Sequence, residues 1–523
     1  MSPHSAERPR AVRSALSRLT APGPLLAAGL GVTTIAASLW FATANRALDS
    51  GSATVLYSFY FLVGTIGTGV LAGLEQEMTR TVARAHAAGR PVGAAVRGQL
   101  RQAAGLAAVT VVILAAASPL LVAHWLGHNW PLALALLAGL AATWASFLVR
   151  GVLAGCQDFR FYSLTLAVQG VATIVPSLVL TLVGSGHMLG YALVFALGPL
   201  VGAASGLPSS ALRRSWRAVG VAESQPTASD DRLAGAEAQP VTAEPRAAGA
   251  RVARADQADE PGAEAQPVIA EAQAAGARVA LAEHDDEPGG SAREKLLLLT
   301  LATLLSQVLI NAVPLIIGPR LAAGGAHGAD LAKSLSSSMG LSRLALLCLF
   351  PLQAPLLPLL AAAAVRRDFR EVRRKTGFLV GACLVAGVLG VGAVVAAGPW
   401  LLTAYLHVPT LLSRGFLSAL ALSTAFLMTA FVLQSAQVAL NRHRVVFGAW
   451  LAGLVAMAVV FALPLAPLAA AGWAGIAGPL VVTVVAAVDV MFVTRSAPPV
   501  PAAGTGDAQP APQPAPVAEG VRS

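Results

Sequence analysis

Apolar residues run along this chain in long, nearly uninterrupted stretches rather than at the spacing of an amphipathic helix. Twelve of these stretches reach the length of about 20 residues that one helix needs to cross a bilayer. We therefore predict an all-α, polytopic membrane protein with about 12 transmembrane helices. The predicted spans lie near residues 23–44, 53–74, 103–126, 131–149, 161–184, 188–207, 296–318, 336–362, 377–402, 415–440, 445–465 and 472–494.

The composition agrees with this pattern. Of the 523 residues, 56% are hydrophobic and only 12% are charged, and the mean hydropathy is +0.68. Soluble domains are closer to half apolar and a quarter charged. A cytosolic, nuclear or secreted protein is therefore excluded, and we expect a function that is carried out in a bilayer.

Basic residues are concentrated on one side of the predicted bundle. If the N-terminus is cytoplasmic, 20 Lys and Arg of the short loops and flanks lie inside, and only Arg46, Arg320, Lys333 and Arg414 lie outside. Such a bias predicts that both termini are in the cytoplasm, as expected for a bacterial inner-membrane protein. The net charge of +10 then indicates contact with anionic phospholipids and not with nucleic acid, because the charges are scattered over loops.

A long polar segment divides the predicted spans into two sets of six. It holds a tandem 27-residue repeat, with copies at 235–261 and 262–288, and too few large apolar residues to form a core. We therefore predict a disordered cytoplasmic linker between two lobes. The expected organisation is a cytoplasmic segment 1–22, an N-lobe 23–207, the linker 208–295, a C-lobe 296–494 and a disordered Pro/Ala-rich tail 495–523.

The two sets of six spans repeat their polar features. Basic stretches follow the second and eighth spans, at Glu75–Arg90 and Arg366–Gly377, and short polar links follow the fourth and tenth, at Gly155–Arg160 and Leu440–Arg444. Because six is even, the lobes are expected to be parallel, related by an axis along the membrane normal. Two six-helix halves also describe the major facilitator superfamily, but its GxxxDRxGRR motif is absent from the stretch after the second span.

Several segments resemble one family in order and spacing. Ala47–Arg84 looks like the first two helices of bacterial polysaccharide exporters and flippases, and RGVLAGCQDFRFYSLTLAVQGVATIV at Arg150–Val175 is similar to their junction between helices four and five. Leu305–Leu321 resembles their polar-dotted seventh helix, Leu341–Ala361 their Pro-rich eighth and Ala397–Leu406 the close of their ninth. This family is the polysaccharide branch of the multidrug/oligosaccharidyl-lipid/polysaccharide (MOP) flippase superfamily.

The resemblance implies a flippase that moves a polyprenyl-diphosphate-linked saccharide across the cytoplasmic membrane by alternating access of two lobes. It also implies glycosyltransferases or a polymerase of a polysaccharide pathway as partners. Two alternatives stay open, a drug/cation antiporter of the same superfamily and a membrane scaffold for glycan assembly. The sequence holds no HExxH, Walker A, GxSxG or CxxC motif, so no enzymatic activity, cofactor or metal site is predicted.

Polar residues inside a span are costly and are therefore candidates for substrate binding. Gln307 and Asn311 are four residues apart on one face of the seventh span, where they line a cavity or bond to neighbouring helices. Pro314 frees the carbonyl of Ile310 and can bend the helix, as a moving gate requires.

Two arginines are candidates for contact with the phosphates. Arg343 lies several residues into the eighth span, on its outer side, and its planar guanidinium suits a phosphate. The alternative is an arginine that snorkels to the outer interface. Arg46, just after the first span, either contacts a phosphate or is a surface charge.

Two carboxylates are candidates for a gate or a coupling ion. Glu75 lies at the inner end of the second span, where pairing with Arg80 and Arg84 is the simpler expectation. Asp489 lies near the inner end of the twelfth span and could bind a coupling cation, although pairing with an inner arginine is again simpler.

Overall fold

A computed structural model describes residues 22–87, 92–214, 292–343, 346, 360, 363–364 and 368–496. These residues form twelve long helices, eleven of which are long and apolar enough to cross a membrane, and they contain no β-strand. The predicted all-α polytopic fold class is confirmed. The helices are α1 (Pro22–Ala47), α2 (Ser50–Val63, a π-helical turn Gly64–Thr68 and Gly69–Ala87), α3 (Val92–His124), α4 (Trp130–Gly155), α5 (Phe159–Leu182), α6 (Met188–Gly206), α7 (Ala292–Ala322), α8 (Ala326–Ser342), α9 (Phe369–Trp400 and a π-helical turn Leu401–Tyr405), α10 (Arg414–Ala439), α11 (His443–Ala462) and α12 (Pro467–Ser496).

Short polar side chains set the starting points of several helices. Each accepts a hydrogen bond from a backbone N–H that would otherwise be unpaired in the first turn. These caps are Asp49, Asn129, Asp158, Asp368 and Ser413. At the start of α2, hydrogen bonds from Ser52 hold the pKa of Asp49 below its ordinary value. We call the end of the bundle that carries the α1–α2 loop, which is the predicted outer face, the Asp49 end.

The helices form two lobes with the same internal packing. In the N-lobe, α1 packs on α5, α4 on α6 and α5 on α6. In the C-lobe the corresponding pairs are α7 with α11, α10 with α12 and α11 with α12. Two six-helix lobes that repeat the same pairs in the same chain order are parallel repeats, as predicted from the even number of spans.

Tight turns at corresponding positions confirm the repeat. The α4–α5 turn contains Gln157 at φ 57°, and the α10–α11 turn contains Asn441 at φ 60°. Likewise His128 in the α3–α4 turn has φ 59°, and His407 in the α9–α10 turn has φ 52°. Non-glycine residues rarely adopt this left-handed conformation, so its recurrence indicates that both halves use the same connections.

The lobes meet through two helices from each side. α2 packs against α7 and α8, and α1 packs against α8. A residue on any of these four helices can therefore lie at the interface of the lobes, which is where the predicted site residues of the seventh span belong.

The eighth helix begins ten residues before its predicted start. The predicted span was 336–362, but α8 begins at Ala326. Its first residues, AHGADLAKSL, are too polar for a hydropathy window, yet Lys333 is only 5% exposed because it packs against the N-lobe. The prediction that Lys333 lies in an outer loop is therefore wrong. Most of the predicted span after residue 343 lies outside the described residues.

The predicted linker and tails lie largely outside the described residues, which omit 1–21, 215–291 and 497–523. We expect that deleting Gly235–Pro288 leaves a folded, membrane-inserted protein, because the repeat has almost no large apolar side chains to contribute to a core. The measurement is membrane-fraction abundance together with a melting curve in detergent, with deletion of only Gly262–Pro288 as the matched control. Loss of the folded protein in the longer deletion would show that the repeat is structural.

Candidate functional site

Two of the predicted site residues, Arg343 and Pro314, meet at a single backbone carbonyl. Proline has no N–H, so Pro314 leaves the carbonyl of Ile310 without its intrahelical donor. Nη2 of Arg343, the residue that caps the C-terminus of α8, donates to this carbonyl at 2.6 Å. This bond joins the end of α8 to the position at which Pro314 interrupts the backbone hydrogen bonds of α7.

The same arrangement recurs at other prolines. The carbonyl of Leu315, freed by Pro319, accepts a hydrogen bond at 2.7 Å from Nε1 of Trp125, the residue that follows α3. The carbonyl freed by Pro479 in α12 accepts from Ser423 Oγ of α10 at 2.5 Å. At Pro314, Pro319 and Pro479 the freed carbonyl thus accepts a hydrogen bond from a side chain outside its own helix. In a membrane interior a freed backbone group needs such a partner.

Arg343 faces the N-lobe across the interface of the lobes. Its guanidinium carbon is 4.4 Å from the centre of the Phe61 ring, a cation–π contact across the interface of the lobes. Phe61 is about 17 Å along α2 at 1.5 Å per residue, a distance comparable to half of a hydrocarbon core about 30 Å thick. Because α8 begins at Ala326, Arg343 lies at the end of this helix and not near its start.

Among the described residues, the partners of Arg343 are neutral. The hydroxyl of Tyr60 also faces the guanidinium, and no Asp or Glu of the described ranges forms an ion pair with it. The side chain is half-buried. A half-buried cation without a carboxylate partner favours an anion at this position.

A small cavity adjoins Arg343 within the C-lobe. Its wall comes from α7, α8, α10 and α12 and combines aliphatic side chains with the polar groups of Ser342, Arg343, Ser423 and Thr424. Its volume is about 20 Å³, so in this conformation it has room for about one water molecule.

The predicted polar pair of α7 faces α2 across the interface of the lobes. Asn311 is 2% exposed, and its Nδ2 donates to the carbonyl of Gln307 at 2.8 Å. A Cβ atom at Gly64 would lie 3.9 Å from the Asn311 amide, and one at Gly69 would lie 3.3 Å from Gln307 Cβ. Gly64 begins the π-helical turn of α2, a distortion that is frequent at functional sites. Both residues therefore belong to the interface, where Asn311 is buried and Gln307 is partly exposed.

Arg46 lies apart from the other predicted substrate residues. It is exposed at the Asp49 end, where Nη2 lies 3.0 Å from Nε2 of His407 in the α9–α10 turn. The structure thus brings Arg343, Gln307, Asn311 and Pro314 to the α2–α7–α8 interface, and places Arg46 at the edge of that interface.

Glu75 takes part in a polar network inside the N-lobe. Its Oε1 accepts a hydrogen bond from the Tyr162 hydroxyl at 2.8 Å, and the guanidinium of Arg150 interacts with it electrostatically. Arg150 is 6% exposed and donates to Gln169 Oε1 at 2.6 Å. The expected contact with Arg80, which lies within α2, is made instead by Glu77, at 3.9 Å. Glu75 points inward because α5 supplies a hydroxyl partner that the loop sequence does not reveal.

Asp489 is paired with residues at the end of α10 that lies opposite the Asp49 end. Arg442 Nη2 lies 2.7 Å from Asp489 Oδ1, and Gln437 Nε2 donates to Oδ2 at 3.0 Å. Of the two roles considered for Asp489, the structure shows the ion pair. No group of His, Cys, Asp and Glu that could hold a metal ion occurs within the described residues.

Lys333 is the polar residue of this interface that sequence reasoning missed. The segment KSLSSSMG holds Lys333 and Ser337 four residues apart, on one helical face. This spacing, next to an apolar run, was the available indication that the polar segment belongs to a buried helix.

Comparisons with solved structures show which fold this is. An inward-facing multidrug resistance MATE family transporter of the MOP superfamily aligns at a TM-score of 0.59 and 13% identity, over 90% of this chain and 96% of that one. An outward-facing transporter of the same description gives 0.56 and 13%, over 90% and 94%. A MOP superfamily transporter from Pyrococcus furiosus, described as having a binding pocket of reversed polarity that suggests a different function, gives 0.54 and 16%, over 91% and 98%. No protein-family model matches the sequence, and no curated protein matches it. The chain thus has the two-lobed fold of MATE-like transporters.

Proposed function

We propose that this protein is a membrane transporter that works by alternating access between its two lobes. The proposal is supported by the parallel six-helix lobes, which meet mainly through α1 and α2 on one side and α7 and α8 on the other. It is also supported by the fold, which solved transporters adopt in both inward-facing and outward-facing conformations. Because few helices form the interface, the lobes can rock against each other about it.

We further propose that the substrate is a polyprenyl-diphosphate-linked saccharide of a polysaccharide pathway. The observation that carries this proposal is Arg343, a half-buried guanidinium at the interface of the lobes whose identified partners are neutral. A diphosphate offers the charge that this position lacks, and a guanidinium can bind it through two parallel N–H bonds. Anionic phospholipids around the basic loops, and glycosyltransferases or a polymerase as neighbours, are part of the same proposal.

A drug/cation antiporter is the second candidate, and Glu75 favours it. An antiporter needs a carboxylate embedded in the N-lobe, and Glu75 turns into that lobe toward Tyr162. The nearby guanidinium of Arg150 weakens this candidate, because it already supplies the positive charge that a coupling cation would bring.

Reconstituted protein can distinguish the two candidates. Proteoliposomes are loaded with a polyprenyl diphosphate that carries a fluorescent disaccharide, and the fraction exposed to an impermeant quencher is followed in time. We expect exposure several-fold faster than in protein-free vesicles, and no acceleration for the same disaccharide on a neutral, phosphate-free lipid. Uptake of a fluorescent cationic drug driven by an ion gradient, without movement of the saccharide lipid, would support the antiporter instead. If neither probe is transported, the membrane scaffold for glycan assembly is the remaining candidate.

A further inference from the structure

The hydrogen bonds that join the two lobes are concentrated at one end of the bundle. Within the described residues, every such bond lies in the half of the bundle nearest the Asp49 end. Outside α8 these are the contacts of Ser38 Oγ with Tyr405 OH at 2.7 Å, of Arg46 with His407 and of Trp125 with Leu315. The lobes are thus tied together at the predicted outer face.

Lys333 is the most buried cation of this set. Its Nζ donates to the carbonyl of Asn45 at 3.0 Å and to that of Leu48 at 2.9 Å. These carbonyls belong to the C-terminal end of α1, where the last carbonyls lack intrahelical donors and the helix dipole is negative. A lysine of the C-lobe therefore caps a helix of the N-lobe.

The side chain of Asn45 extends this contact. Its Nδ2 donates to Ser337 Oγ at 3.0 Å, and its Oδ1 accepts from the Tyr57 hydroxyl at 2.6 Å. One turn before Lys333, Asp330 accepts a hydrogen bond from Ser50 at the start of α2. Three residues of one face of α8, at positions 330, 333 and 337, thus bind the α1–α2 corner.

We propose that this cluster is a latch that holds the lobes closed at the Asp49 end, and that Lys333 is its principal residue. The ammonium cannot stay on the two carbonyls when α8 moves away from α1. When this contact breaks, the ammonium and the two helix-end carbonyls are uncovered, and water can solvate all three once the cleft opens. A polar latch can therefore open and reclose, whereas an interface held only by the buried aromatic rings of α1 and α2 would keep both lobes together.

Electron-paramagnetic-resonance distances between the lobes test the latch. Spin labels are attached at His187→Cys in the α5–α6 loop and Leu411→Cys in the α9–α10 loop, both exposed, in a chain whose three native cysteines are replaced by alanine. The labelled parent is expected to give mainly one short distance. Lys333→Met keeps the length of the side chain and removes its donors. It is expected to raise the ratio of molecules with a longer distance to molecules with the short distance by about ten- to a hundredfold.

The matched control is Lys375→Met. Lys375 pairs with Glu371 at 2.6 Å inside one helix of one lobe, away from the Asp49 end, so its loss is expected to leave the distances unchanged. A Lys333→Met distribution identical to that of the parent would overturn the latch. If this variant does not fold, Ser337→Ala, which removes one neutral hydrogen bond, must show a smaller shift in the same direction, and no shift again overturns the proposal.

A cross-link supplies an independent test. Asn45→Cys with Ser337→Cys places two thiols where the present side chains are in contact, so oxidation is expected to form a disulfide and to hold the short distance even with Lys333→Met. A folded double variant that never cross-links would contradict a closed latch. The inference rests on the proposed alternating access but not on the substrate. Saccharide-lipid transport with unchanged distances in Lys333→Met would therefore refute the latch and leave the proposed function standing.

Discussion

Arg343→Ala is expected to reduce transport of the diphosphate-linked saccharide by about 10- to 100-fold, the loss that corresponds to a charge-assisted contact of about 1.5–3 kcal/mol. The reason is that Arg343 is a cation at the interface of the lobes whose described partners, the carbonyl of Ile310 and the ring of Phe61, are neutral. The measurement is the initial rate of quencher exposure in proteoliposomes, at equal amounts of inserted protein.

Two further variants test whether the loss of transport is specific to the guanidinium of Arg343. Arg343→Lys keeps the charge but loses the planar fork, so we expect intermediate activity. Arg320→Ala removes an exposed arginine from the last turn of α7 and is expected to transport normally. If Arg343→Ala transports at the parental rate with parental abundance, then Arg343 only holds α7 and α8 together and the phosphate site is wrong.

Pro314→Ala is expected to reduce transport by about tenfold while leaving thermal stability unchanged or higher. An alanine at this position restores an N–H that can donate to the carbonyl of Ile310, in competition with Arg343. The helix loses its interruption, and the guanidinium loses the acceptor that positions it beside Phe61. Transport rate and melting temperature are to be measured on the same preparation, because a merely structural proline would change the melting temperature first.

The control for this substitution is Pro119→Ala in α3. That proline frees the carbonyl of Ala115, and Ser118 of the same helix donates to this carbonyl at 2.7 Å. We expect no change in transport, because no contact between helices depends on it. Pro314→Ala and Arg343→Ala are also expected to be non-additive, since both act on one hydrogen bond. Fully additive losses would mean that the two residues act separately.

These expectations rest on a site that sequence reasoning found only in part. Pro314 and Arg343 were singled out separately, one as a hinge and the other as a phosphate ligand, and the structure joins them through Ile310. Gln307 and Asn311 were correctly placed on one face of a helix. That α2 packs on this face was not predicted. Glu75 was expected to turn toward a loop arginine and instead meets Tyr162.

The sequence by itself determined the membrane class, the helices and the duplication into two parallel lobes. A span must be about 20 apolar residues long because of the thickness of the hydrocarbon core, and its backbone must be satisfied within the helix. Both requirements are local, so they can be recognised in the order of residues. Turn residues such as Gln157 and Asn441 are local as well, and they repeat where the halves repeat.

Only the tertiary structure decided which polar residues lie inside the bundle and what they contact. Lys333 looks like a loop residue along the chain, and it becomes a buried cap because α1 presents two unpaired carbonyls 285 and 288 residues away. The free energy of a polar group in a membrane depends on its partners. For Lys333, Arg46 and Trp125 these partners belong to the other lobe, so no local pattern could reveal their positions.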